Sequence, residues 1–164
     1  EFKREAFSFL GARMIEKMNP GWGAKWFSVR TCCHPSLDQF RDQFYGNDRS
    51  VIATEAMLAE LNATGWAWWY GDDGSLMQQS GCAHMALLHT EGYSESDNLK
   101  IKSALESFIG INGGVSIAKY FGGTPKKERT MLRLKTNATV EFFKRIAPYM
   151  APSMAYKLGD FHIA

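Results

Sequence analysis

Leu61-Asn62-Ala63-Thr64-Gly65-Trp66-Ala67-Trp68-Trp69-Tyr70-Gly71-Asp72-Asp73-Gly74 is the stretch on which the reading of this chain turns. Asn62 is a helix-capping residue type, and the residues behind it predict a helix over 63–72. Trp66, Trp69 and Tyr70 make that helix apolar over most of its circumference, so it belongs in an interior. Ala67 and Gly71 lie four apart and leave room for another helix to come close. The helix then ends in two adjacent carboxylates, Asp72 and Asp73. The macrodipole is negative there, and each acidic side chain is disfavoured by about 0.3–1 kcal/mol. A lysine would be the stabilising choice. Acids at that end of a buried helix imply a cation that offsets them, and hard oxygen ligands suit Mg²⁺. Asp-Asp-Gly is also ordinary turn chemistry, so a plain helix stop accounts for the same residues.

The rest of the chain bounds what this helix belongs to. The sequence has 164 residues, 45% hydrophobic and 13% aromatic, enough for one domain or for two small repeats sharing a core. No apolar run approaches the ~20 residues of a membrane span. The first residues are charged without a signal-peptide pattern, which predicts a soluble, intracellular protein with no membrane partner. Modest use of Lys, Asn and Ile points to a bacterial or phage cytoplasm rather than an organelle. Cys32, Cys33 and Cys82 make no disulfide framework. Net charge is only +2, yet residues 100–157 hold eleven basic residues against Glu106, Glu128 and Glu141. Such a surplus is the footprint of a polyanion partner, or a solvated basic surface.

The order of elements repeats. Phe7, Leu10, Met14, Ile15 and Met18 predict a helix over 2–18, stopped by Asn19-Pro20-Gly21. A strand follows over 25–33 and a helix over 35–44. After the helix at 63–72, residues 80–90 read as extended, and Ser94-Glu95-Ser96-Asp97 opens a helix closed by Gly110. Residues 115–120 and 130–136 read as a hairpin around Gly122-Gly123, and a last helix spans 140–147. Helix, strand and helix thus occur over 2–44 and again over 95–147. Val29-Arg30-Thr31 matches Leu134-Lys135-Thr136 at the strand ends. The second copy is preceded by the 61–74 helix and an extended stretch. The first has no equivalent, so a helix and a hairpin are expected before Glu1, or from a second chain.

Strand alternation nominates partners. Arg129, Met131, Arg133 and Lys135 fall on one face and Leu132 and Leu134 on the other, as a sheet with a core on one side and DNA on the other requires. Trp26, Ser28 and Arg30 alternate with Phe27 and Val29. Gln78 and Gln79 are suited to adenine edges or to solvent. Lys119, Lys126 and Lys127 complete the candidate DNA contacts. Cys32-Cys33-His34 lacks zinc-site spacing, and His84 and His89 fall on opposite strand faces.

Taken together, residues 61–74 resemble the second core motif of LAGLIDADG homing endonucleases, Leu-Thr-Pro-x-x-Leu-Ala-x-Trp-x-x-Asp-Asp-Gly. His89-Thr90-Glu91-Gly92-Tyr93-Ser94 is similar to the family's strand end. Residues 145–158, with Pro148-Tyr149 and Met154-Ala155-Tyr156-Lys157-Leu158, are similar to its C-terminal signature. Residues 44–49 sit where the family has a basic segment. The resemblance implies an α+β fold of pseudo-twofold αββαββα repeats with saddle-shaped antiparallel DNA-binding sheets. Residues 1–61 would be the remainder of a first repeat and 62–164 a second. It implies a site-specific endonuclease of intron or intein homing that makes a staggered break in double-stranded DNA with Mg²⁺ or another divalent cation. Asp73 and the Asp72 carbonyl would hold the metal, and Arg49 and Arg129 match the family's basic positions. An arginine does not deprotonate, so only electrostatic support or water positioning fits it. An intron RNA maturase, or a DNA-binding protein that no longer cuts, would have the same fold.

Overall fold

The computed structural model describes residues 8, 11–18, 25–30, 32, 35–46, 50–78, 84–122 and 127–161, with the side chains of 25–27, 36, 39, 40, 42, 121, 122 and 127 left aside. The chain forms two compact units, Glu1–Asp42 and Gln43–Ala164.

In the first unit β1 (Arg13–Met18) and β2 (Lys25–Arg30) form an antiparallel hairpin, in register from Arg13↔Arg30 to Met18↔Lys25. A 3₁₀ turn at Pro35–Leu37 leads into α1 (Asp38–Phe44). The helix expected over 2–18 is therefore wrong where the structure describes it: Arg13–Met18 is strand. Over so few residues the apolar spacing is ambiguous, and pairing with β2 decides the conformation. Residues 2–7, 9 and 10 lie outside the described residues. The correction sharpens the repeat, because a hairpin now precedes the closing helix in both copies.

The second unit holds the central helix. The Thr54 hydroxyl caps a short α2 (Glu55–Ala59), accepting from the Met57 N–H at 3.1 Å. The Asn62 side chain accepts from the Gly65 N–H at 3.1 Å and opens α3 (Ala63–Asp73). Then come β3 (Gly74–Met77), β4 (Met85–His89), α4 (Glu95–Ile109), β5 (Val115–Gly122), β6 (Lys127–Leu134) and α5 (Thr136–Ile146). Two 3₁₀ segments follow, Ala147–Tyr149 and Pro152–Leu158. From α3 to α5 this is the expected αββαββα order. The strands make one antiparallel sheet in the order β3-β4-β6-β5.

Both ends of α4 follow the sequence: the Ser94 hydroxyl accepts from the Asp97 N–H at 3.1 Å, and Gly110 closes the helix at φ 73°. Of the stretch expected to be extended over 80–90, the described residues place Met85–His89 in a strand with His84 and Thr90 outside it, and 80–83 lie outside the described residues. The last helix begins at Thr136 rather than 140. Buried Thr139 explains this, its hydroxyl donating to the Leu134 carbonyl (3.2 Å) and accepting from the Ala86 N–H (2.9 Å). Those bonds lock the helix start onto the sheet, overriding the weak helix propensity of Thr136 and Asn137.

The core lies on one face of the sheet. Trp66, Ala67 and Tyr70 of α3, Ile101, Leu105 and Ile109 of α4, and Ala138, Phe142, Phe143 and Ile146 of α5 cover Ala86, Leu88, Leu132 and Leu134. Ala67 and Gly71 are buried, and the room at Gly71 faces Met154 of the last 3₁₀ segment. Alpha-helix α3 also packs on α5 and on the Ala147–Tyr149 turn. Among the described residues, the neighbour that meets Gly71 is Met154 of the chain's own C-terminal segment.

Candidate nucleic-acid interface and acidic site

At the C-terminal end of α3 the last carbonyls lack partners within the helix, as at any helix end. Lys157, from the second 3₁₀ segment, supplies a partner: its Nζ donates to the carbonyl oxygen of Gly71 at 2.7 Å and, more weakly, to that of Asp72 at 3.3 Å. The Tyr70 hydroxyl in turn donates to the Lys157 carbonyl at 3.1 Å. The lysine that a stabilising design would put at this helix end is present, but it arrives from the far end of the chain. Gly74 is required by close approach, since a Cβ there would stand 2.1 Å from Cδ2 of Tyr70. The chain must turn straight from α3 into β3, which leaves Asp72 and Asp73 exposed at the corner.

Electrostatics at that corner single out Asp73. The surrounding protein strips water from its carboxyl and lifts it above the ordinary aspartate value, and the charge of Asp72 lifts it further. Lys157 and then His89 pull it down, and Glu91 pushes it up. A carboxyl held in this state is one that a bound cation would stabilise in its charged form. The donors present are oxygens, the Asp73 carboxylate and the Asp72 carbonyl, which Lys157 meets at 3.3 Å. Among the described residues no three His, Cys, Asp or Glu side chains form a metal-holding group. Such oxygen donors suit Mg²⁺, which keeps several waters and takes one or two carboxylates together with substrate phosphates.

The sheet face away from the core carries Ser75 of β3, Leu87 and His89 of β4, Met131 and Arg133 of β6, and Ser116, Ala118 and Tyr120 of β5, as the registers require. Arg133 is exposed there, and Arg129 lies opposite Tyr120 on the same face. Leu132 and Leu134 are buried, so the alternation expected for this strand holds over 129–134, while the strand ends at Leu134, before the expected Thr136, and leaves Lys135 outside it. Lys135 is exposed at the N-cap of α5.

Other candidates are placed differently. Lys119 pairs in register with Thr130, on the side of Leu132 and Leu134, and its Nζ meets Glu128 at 3.1 Å. The expectation that Lys119 joins the arginines on the DNA face is therefore corrected: strand parity puts it on the opposite side, where an acid already holds it. Gln78 falls on the side of Leu76, leaning on Gly159, and borders a cleft of about 310 Å³ with Ser75, Tyr156 and Lys157. Arg30 is exposed at the end of β2 in the first unit. Arg49, Gln79 and Lys126 lie outside the described residues, as does the side chain of Lys127.

Sequence reasoning quoted Lys157 within the Met-x-Tyr-Lys-Leu stretch without giving it a role, and it left His89 and Glu91 unassigned. The one available signal was the missing cation at the end of α3. Nothing in the sequence says which of nineteen basic residues supplies it.

Comparison with known proteins bears on this arrangement. The model of the LAGLIDADG DNA endonuclease family matches residues 6–145. The chain is 28% identical over 137 residues to "Probable intron-encoded DNA endonuclease 3" of Mycosarcoma maydis, covering 81% of this chain and 91% of that protein. It is 32% identical over 130 residues to protein RecA of Mycobacterium gastri, covering 74% of this chain but only 30% of that one. Among solved structures, the homing endonuclease I-WcaI bound to its DNA recognition sequence superposes with a TM-score of 0.72 at 20% identity, over 94% of this chain and 68% of that one. At that identity the likeness is one of fold.

Proposed function

Because the chain belongs to the LAGLIDADG DNA endonuclease family, we propose that it cuts double-stranded DNA at a long specific site by divalent-metal-dependent hydrolysis, with Asp73 as the metal-holding carboxylate. The observation that carries this reading is the placement of the Asp73 carboxyl and the Asp72 carbonyl at an exposed helix end that runs directly into the sheet whose open face bears Arg129 and Arg133.

The residues divide the work. The Asp73 carboxylate and the Asp72 carbonyl would hold Mg²⁺. A bound Mg²⁺ supplies the charge that activates water and offsets the charge developing on the scissile phosphate. Lys157 fixes the helix end and adds positive charge next to Asp73. Arg133 and Lys135 meet phosphates or base edges. Such contacts set affinity and register, while the acidic site sets the rate.

The test uses a library of randomised duplexes incubated with the chain and Mg²⁺, with the cut ends sequenced. The wild type yields a recurring site, and Asp73→Asn cuts the recovered duplex at least about 100-fold more slowly. Its affinity stays within a few-fold, because phosphate contacts dominate binding. An Asp73→Asn variant cutting at the wild-type rate would falsify the assignment.

A further inference from the structure

Four polar side chains cross the open face of the sheet as one hydrogen-bonded chain. The Tyr120 hydroxyl on β5 donates to Oε1 of Glu91, just past β4. His89 Nδ1 on β4 meets the same oxygen at 3.0 Å, and His89 Nε2 meets Ser75 Oγ on β3 at 3.0 Å. Burial alone would raise the Glu91 carboxyl, but the bonds from Tyr120, its own backbone N–H and His89 outweigh that and hold it below the ordinary glutamate value. An ionised carboxylate only accepts, so the His89 proton sits on Nδ1. In the neutral ring Nε2 is then an acceptor, and the Ser75 hydroxyl donates to it.

These groups lie away from the hydrophobic core, which is on the other face. They stand at the acidic corner: Ser75 follows Asp73 by two residues, and His89 and Glu91 are near enough to act on its carboxyl. Between Asp73 and Ser75 is Gly74, packed so close to Tyr70 that a Cβ would not fit. The loop bearing Glu91 is itself pinned, with Thr90 buried and donating to Asn98. Holding four side chains in one geometry on a wetted surface costs rotamer entropy that core packing does not offset.

We propose that the Tyr120–Glu91–His89–Ser75 chain is a positioning device for strand cleavage, tying the start of β3, and through it Asp73, to the outer strand of the DNA-facing sheet. The inference rests on the cleavage reading above. Because β5 and β6 form one hairpin, DNA seated on β6 would set the same end of the chain that orients Asp73. Misplacing a reacting group by a fraction of an ångström to an ångström costs on the order of 10- to 100-fold in rate.

The experiment uses the duplex recovered from the randomised library. Under single-turnover conditions with Mg²⁺, Ser75→Ala, Glu91→Gln and Tyr120→Phe each cut about tenfold more slowly or worse. Affinity measured without added metal stays within about twofold, and the melting midpoint stays near that of the wild type. Ser75→Thr, which keeps the hydroxyl, restores most of the rate. An imidazole N–H proton of His89, visible by NMR in the wild type, disappears in Glu91→Ala, which removes the acceptor. Variants that cut at the wild-type rate overturn the proposal. So does a parallel fall in rate, affinity and melting midpoint, which would mark a structural role, and so does a wild type without the His89 signal. A wild type that cuts no duplex removes the cleavage reading itself, an outcome distinct from a cutting wild type whose variants cut equally.

Discussion

Asp73 and Lys157 occupy the same helix end for opposite reasons. Lys157 stabilises the open carbonyls of α3, while Asp73 sits against the dipole and beside Asp72, with its carboxyl raised by lost hydration. A carboxyl raised in the folded state contributes stability that is present below the ordinary aspartate value and is lost as pH rises through the folded value. Asp73 therefore weakens the fold at neutral pH, a cost that the proposed metal-holding role would explain. Removing either neighbour should move it in a known direction. In Lys157→Met the Asp73 midpoint rises further, and in Asp72→Asn it falls; a carboxyl-carbon NMR titration reads both. A midpoint that falls in Lys157→Met would show that the lysine does not face Asp73. The acid pair was legible in the sequence because an unfavourable residue at a helix end is a local signal. Its lysine was not, because it lies 86 residues from Gly71.

Among the elements, α4 shows how a buried charge ties segments together. Glu106 is 8% exposed; its Oε2 accepts from Lys102 Nζ at 2.8 Å and its Oε1 from the Val115 N–H at 3.0 Å, joining the last turn of α4 to the start of β5. Burial pushes its carboxyl up, but these bonds outweigh it and hold it below the ordinary glutamate value. With the folded value depressed, its stabilisation is present above the ordinary glutamate value and is lost as pH falls through the folded one. Glu106→Gln should cost about 1–3 kcal/mol near neutral pH and flatten the acid side of the melting curve. An unchanged pH dependence would show that the carboxylate contributes nothing. Helix α4 and strand β6 were readable from sequence because each carries a sustained period with clear ends. Strand β1 was not: six residues with Met14, Ile15 and Met18 fit either period, and only β2 beside them decides.

For the molecule as a whole, function depends on which face of the sheet meets DNA. The core occupies one side, so the basic residues divide into those on the open face and those behind it. Arg133 is on the open face and Lys119 behind, paired with Glu128. Arg133→Ala should weaken binding and shallow its salt dependence by about one unit if it meets a phosphate. Lys119→Ala should leave both unchanged. Equal effects from the two would mean that DNA does not lie on this face. Composition showed a basic surplus over 100–157, but charge counts carry no direction.

The sequence by itself determined the buried acidic-ended helix, the capped α4 and the two-faced β6, and its motif resembled a family whose fold implies the αββαββα order. All of these are written in local periodicity, capping chemistry or a contiguous motif. Tertiary structure alone decided the rest: Arg13–Met18 as strand, Lys119 turned away from Arg133, Lys157 brought to α3, and Ser75, His89, Glu91 and Tyr120 joined across four strands. The physical reason is range. Helix periods and caps act over three or four residues, whereas strand partners and charge partners are set by which distant segments the buried core brings within hydrogen-bond reach.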